Sequence, residues 1–250
     1  VAVGSQALVS NTTASNNTAV GLEALKLNTT GAASTAIGFQ SLQSNTTGDQ
    51  NTACGNNTLR DNTTGQYNTA VGTQALINNE TGDNNTALGA FALLENTTGV
   101  ENVAVGLGTL DANTTAHNNT GVGFAALGLN TTGTANTAIG HRSLDANTTA
   151  SNNTAIGKDA LGANTTGQYN VAVGALALDA NTTADSNVAV GYNALSANTT
   201  GGALIAIGRN TLQSNTTAND NVGVGHEALK NNTTGASNVA VGRGALVANT

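Results

Sequence analysis

The chain has 250 residues, a formal net charge of −7, 8% charged and 2% aromatic residues, no Pro, Met or Trp, and a single Cys. Asn and Thr together number 79 and Gly adds 31. These figures exclude an ordinary mixed core, a disulfide scaffold, a collagen helix with its Pro and three-residue Gly period and charge-rich disorder, and no run of about 20 apolar residues is present to cross a membrane as a helix.

The low complexity resolves into one motif, N-T-A-V-G-x-x-A-L-x-x-N-T-T-G-x-x, repeated every 17 residues without insertion or deletion. With Asn17 as position 1, the unit begins again at Ser34, Asn51, Asn68, Asn85, Asn102 and onward to Asn238. Val1 is position 2 of one unit and Thr250 position 13 of another, so residues 1–250 are expected to be one continuous array of about 15 coils, an excerpt of a longer fibre. The 15 copies can be compared with one another. Position 5 is Gly, position 9 Leu and position 12 Asn in every copy; position 3 is Ala except at Gly121 and Gly223.

A 17-residue unit is too short to bury a core alone and becomes stable only by stacking on its neighbours. Taken in chain order, the unit opens with T-A-V-G, a short β-branched run bounded by Asn and Gly, which predicts a strand. The expected fold is all-β, a parallel β-solenoid or β-roll with one repeat per coil. Coils at strand spacing would give a rod on the order of 70 Å long. Strand alternation puts positions 2 and 4 on one side, as in Thr18 and Val20, and position 3 on the other. The expectation is that Val or Ile at position 4 and Leu at position 9 form the core of each coil, with Cys54 a buried substitute for Val. The Ala at position 3 then needs an outside neighbour that tolerates only a methyl group. Two large aliphatics per coil stabilise by about 1.5–3 kcal/mol each, against a backbone ordering cost of about 1–2 kcal/mol per residue. A lone coil is therefore thin, and a homo-oligomer, a trimer of cyclic symmetry, is expected to cover the Ala face.

The invariant Gly that follows the strand is expected at a corner requiring positive φ or leaving no room for Cβ. The Asn-Thr-Thr step comes next. It makes a sequon, N-x-T, at Asn11, Asn28, Asn45, Asn62, Asn79, Asn96, Asn113, Asn130, Asn147, Asn164, Asn181, Asn198, Asn215 and Asn232, with Glu80 in the middle place after Asn79. Two readings compete. One is N-glycosylation. The other, favoured here, turns these Asn residues inward as a stacked amide ladder, with the second Thr on the same face and the middle residue outward. Regular Thr ranks also raise ice binding as a minor alternative, weakened because the two Thr are adjacent rather than one residue apart.

The runs Asn136-Thr137-Ala138-Ile139-Gly140 and Asn153-Thr154-Ala155-Ile156-Gly157 resemble, together with the motif as a whole, the repeats of bacteriophage and virus tail-fibre proteins. Their A-V-G and A-I-G centres are similar to the head repeats of trimeric autotransporter adhesins, the YadA-like heads. That resemblance implies a trimeric parallel β-roll in a surface fibre, either the shaft of an adhesin or a receptor-binding fibre.

An enzyme is not expected. His117, His141 and His226 stand on different coils with no specified Ser, Cys or carboxylate partner, and Cys54 has no metal-site spacing. No phosphate-loop motif occurs, and scattered Asp residues form no carboxylate ladder. Neither cofactor nor metal is implied. The negative charge disfavours nucleic acid. The six aromatics, Phe39, Phe91, Phe124, Tyr67, Tyr169 and Tyr192, occupy variable positions and read as surface decoration. The sequence thus predicts a structural segment, extracellular or on a cell or virion surface, whose partners are copies of itself and, in the alternative reading of an adhesion module, a cell-surface receptor or glycan.

Overall fold

A computed structural model describes residues 1–249. The chain divides into two compact units, one over Val1–Val122 and one from Gly123 onward. The first holds β1 (Ala2–Val3), β2 (Thr18–Val20), β3 (Thr35–Ile37), β4 (Thr52–Cys54), β5 (Thr69–Val71), β6 (Thr86–Leu88), β7 (Val103–Val105) and β8 (Thr120–Val122). The second holds β9 (Thr137–Ile139), β10 (Thr154–Ile156), β11 (Val171–Val173), β12 (Val188–Val190), β13 (Ile205–Ile207), β14 (Val222–Val224) and β15 (Val239–Val241). No helix occurs among the described residues.

Within each unit the strands pair in parallel and in sequence order, always with a partner 17 residues away. Ala19 pairs with Ala36, Ala36 with Ala53 and Ala53 with Ala70. Ala138 pairs with Ala155, Ala155 with Ala172 and Ala172 with Ala189. One repeat is therefore one coil of a parallel β-solenoid. The constant period preserves this register, because a one-residue slip would turn every strand side chain to the other face.

Two tight turns complete each coil. The N–H of position 8 reaches back to the carbonyl of the corner Gly, as from Ala24 to Gly21 at 3.4 Å, and that of position 12 to the carbonyl of Leu at position 9, as from Asn28 to Leu25 at 3.3 Å. The corner Gly has φ near +130°, for example 138° at Gly21 and 140° at Gly89. A Cβ on Gly89 would stand 2.4 Å from the carbonyl oxygen of Gly106 in the next coil, so both expected reasons for Gly hold together. The left-handed region recurs at positions 7, 9 and 17, as at Glu23 (φ 61°), Leu25 (φ 49°) and Ala33 (φ 55°).

The faces of the strand are the reverse of those expected. Ala at position 3 is the inward residue: Ala19, Ala36, Ala53, Ala70, Ala155 and Ala172 are fully buried within a single chain. Position 4 points outward, with Ile37 42%, Val71 40% and Ile139 38% exposed. Cys54, in the same row, is exposed rather than buried. The cause is the width of the coil. Its interior is filled by Leu at position 9, by small residues at positions 3 and 8 and by Asn at positions 1 and 12, leaving a methyl-sized space beneath the strand. At Gly223 even a methyl is crowded, since a Cβ would meet the Thr211 Cγ2 at 2.7 Å and the Leu212 Cδ1 at 3.6 Å. The Ala row thus requires no second chain to cover it.

The Leu at position 9 is the one large aliphatic that recurs in the core, fully buried from Leu25 to Leu229. Leu204, at position 1 of its coil, is also fully buried. Apart from these and the small residues at positions 3 and 8, the interior is mainly Asn and rests on hydrogen bonding, because an unpaired buried amide would cost far more than a paired one gains.

Candidate functional site

The Asn residues of the N-x-T steps form one continuous rank in each unit. Each donates from Nδ2 to the Oδ1 of the Asn one coil before it. In the first unit Asn28 donates to Asn11 at 3.1 Å, Asn45 to Asn28 at 2.8 Å, Asn62 to Asn45 at 2.9 Å, and Asn79, Asn96 and Asn113 to Asn62, Asn79 and Asn96 at 2.8 Å each. In the second unit Asn147 donates to Asn130, Asn164 to Asn147, Asn181 to Asn164, Asn198 to Asn181, Asn215 to Asn198 and Asn232 to Asn215, all at 2.8–3.2 Å. The second Nδ2 hydrogen goes to the carbonyl of position 15, as from Asn96 to Gly99 at 3.1 Å. Both amide hydrogens are therefore engaged, and from Asn28 to Asn232 the side chains are closed to solvent.

A second rank was not anticipated from the sequence. The Asn at position 1 donates to the same position-15 carbonyl, so that Gly99 O accepts Asn85 Nδ2 at 2.8 Å as well as Asn96 Nδ2. Its Oδ1 accepts the backbone N–H of the next position 1, as from Asn68 to Asn51 at 3.0 Å and Asn85 to Asn68 at 2.9 Å. Ser34 Oγ takes that acceptor role for Asn51 N–H at 3.1 Å. The signal was present in the sequence: position 1 is Asn in every copy except at Ser34 and Leu204.

The two Thr of each step divide differently from the expectation. The middle one is half-buried in most coils and its hydroxyl is tied to the next coil, as from Thr46 Oγ1 to Thr63 O at 3.0 Å. The second, represented by Thr47, Thr64, Thr98 and Thr149, is exposed rather than sharing the face of Asn. Its neighbour at position 16 alternates in role. In every second coil a polar side chain there accepts the N–H of position 16 one coil before: Asp49 from Ala32 at 2.6 Å, Asp83 from Gln66 at 2.7 Å, His117 Nδ1 from Val100 at 3.1 Å, Ser151 from Thr134 at 2.9 Å and Asn219 from Gly202 at 2.8 Å. Beneath the 17-residue period lies a two-coil one.

Ionisable groups sit on the outer corners. Lys26 pairs with Glu23 at 2.7 Å, Arg60 with Asp61 at 2.6 Å, Arg142 with Asp145 at 3.6 Å, Lys230 with Glu227 at 2.8 Å, and Lys158 with Asp159. Hydrogen bonds from Lys26 and then Gln40 hold the Glu23 carboxyl below its ordinary pKa, and Lys230 does the same for Glu227. Partial burial pushes Asp145 and Asp179 up. The three histidines are not brought together. His117 caps Val100, His141 stacks on Phe124 with ring centroids 5.3 Å apart, and His226 Nε2 lies 2.7 Å from Arg209 Nη2. Among the described residues no group of three or more His, Cys, Asp or Glu side chains is placed to hold a metal ion. Compared with protein-family models, curated proteins and solved structures, the chain matches none.

Proposed function

We propose that the array is a structural segment of an extracellular or virion-surface fibre, a stiff shaft that separates an anchor from a distal attachment tip. The observation that carries this reading is the repetition of one bonding scheme in coil after coil. Backbone ladders, a buried Leu and two carboxamide ranks tie each coil to the next in the same way within each unit. Such a unit adds length and stiffness in fixed increments, which is what a spacer needs and what a catalytic cleft does not. Within this reading, copies of the chain associate through the outward strand residues at positions 2 and 4, and three copies form the closed symmetric arrangement that the resemblance implies.

Length is the property to test. In fibres carrying the array, deletion of whole 17-residue units should shorten the particle by about 4.8 Å per coil while leaving it folded and attached. Loss of folding, or a length that does not follow the number of coils, would sink the shaft reading.

A further inference from the structure

Charge is distributed unevenly along the chain. Of the seven Lys and Arg residues, Lys26 and Arg60 stand in the first unit, beside eight of the fourteen Asp and Glu. The other five basic residues stand in the second unit, and the variable position 6 collects several of them on one corner. From Phe124 onward that corner reads Phe124, His141, Lys158, Ala175, Tyr192, Arg209, His226, Arg243. The corresponding row of the first unit carries no ionisable side chain.

Five of the seven basic side chains are paired with a carboxylate, as described above. Arg209 and Arg243 are the two that form no ion pair among the described residues. Both are exposed and they stand two coils apart, roughly 10 Å at strand spacing. His226 lies between them and holds the Arg209 guanidinium along the row through its Nε2. Tyr192, half exposed, precedes Arg209 by one coil. The one carboxylate in the neighbouring position-7 row over these four coils is Glu227, and Lys230 engages it. The result is a short cationic edge ending in an aromatic ring, on a chain that is otherwise acidic.

We propose that the edge Tyr192–Arg209–His226–Arg243 binds a linear anionic polysaccharide. A straight, open edge suits an extended ligand better than a small ion. A guanidinium presents a planar fork to carboxylate or sulfate, and the half-exposed Tyr192 ring offers an apolar face to a sugar with a polar tip at its edge. One pyranose advances a linear glycan by a distance similar to one coil. Acidic groups on alternate sugars therefore fall on Arg209 and Arg243, with a sugar between them over His226. A nucleic acid fits less well, because its closely spaced phosphates would meet only two unpaired guanidiniums on a net-negative chain. This assignment does not depend on the shaft reading.

The test is calorimetric titration of the intact chain with four probes: a sulfated tetrasaccharide, an oligogalacturonate of the same length, a neutral cello-oligosaccharide and a single-stranded oligonucleotide of matched charge. At least one acidic saccharide should bind, more weakly as salt rises. Arg209→Gln combined with Arg243→Gln should weaken it at least tenfold, and Tyr192→Ala several-fold, whereas Arg60→Gln in the first unit should leave it unchanged. All four positions are on the surface, and unaltered circular dichroism would show that the coils persist. The proposal is overturned if neither acidic saccharide binds, if the double variant binds as well as the parent chain, or if the neutral sugar or the oligonucleotide binds as tightly. Fibre length in the deletion experiment would be untouched by any of these results.

Discussion

Leu at position 9 occupies a conformation that L-residues avoid. Leu93 has φ of 52° and is fully buried, so the same residue supplies the recurring aliphatic anchor and turns the chain. A left-handed residue without Gly freedom costs roughly 1–2 kcal/mol, which burial of its side chain offsets. Branching at Cβ would add a clash that an unbranched side chain of the same size escapes. Leu93→Met should therefore cost less than about 1.5 kcal/mol, and Leu93→Ile, although volume-conserving, distinctly more, as read by urea unfolding midpoints. Equal midpoints for the two variants would show that φ is not what selects Leu. The same conformation explains a pattern legible in the sequence but easily passed over. No Val, Ile or Thr occurs at positions 7 or 17 in any copy, although both positions vary widely in charge and size. Tolerance of polarity there hides intolerance of branching.

The strand and its ladders were legible to different degrees. Period, strand position and corner Gly followed from the repeat, because each is fixed by spacing. The inner face did not, because a three-residue strand such as Thr-Ala-Val has apolar groups on both sides and alternation alone cannot rank them. Size decides instead: the interior admits at most a methyl, so the position restricted to Ala or Gly marks the inside and the larger Val the outside. The two carboxamide ranks differ in what their loss leaves behind. Replacing Asn79 by Leu leaves Asn62 Oδ1 and one hydrogen of Asn96 Nδ2 without partners, while Gly82 O keeps Asn68. Replacing Asn68 by Leu leaves the Asn85 N–H without its acceptor, while Gly82 O keeps Asn79. At about 1–3 kcal/mol for each orphaned buried group, Asn79→Leu should destabilise about twice as much as Asn68→Leu in equilibrium unfolding. The natural Leu204 in the second rank and the invariance of the first agree with that order. The engaged, buried Nδ2 atoms also predict an intact mass free of hexose increments at the thirteen sequons from Asn28 to Asn232, even from a glycosylating host. At position 16 the two-coil alternation gives a contrast within one unit. Asp83→Ala removes the acceptor for Gln66 N–H and should cost about 1 kcal/mol. Gln66→Ala removes no such cap and should stay within about 0.5 kcal/mol of the parent chain.

At the scale of the molecule the inverted strand changes what association would require. The Ala row is already covered, so any partner copy must meet the outward row, where Ile37, Cys54, Val71 and Leu88 stand in successive coils with the Thr of position 2 beside them. This row carries no charge from β2 to β8, and its side chains repeat at the coil spacing. A second copy laid parallel to it therefore presents the same residues at the same intervals, and contacts made in one coil recur in the next. Pairs of Glu substitutions at Val71 and Leu88 would put two carboxylates per copy into that contact, where an unpaired charge is costly to desolvate. The expected result is a parent chain that sediments as an oligomer and a Val71→Glu, Leu88→Glu chain that sediments as a monomer, both with unchanged β-sheet circular dichroism, since neither side chain reaches the core. Cys54 supplies an independent reading without any substitution. Copies packed in register bring two Cys54 side chains to the same level, so mild oxidation should give a disulfide-linked dimer in the parent chain and none in the Glu variant. A parent chain that sediments as a monomer, with Cys54 left unlinked, would remove self-association from the proposed function while leaving the coil and its ladders intact, and would leave the shaft one chain thick.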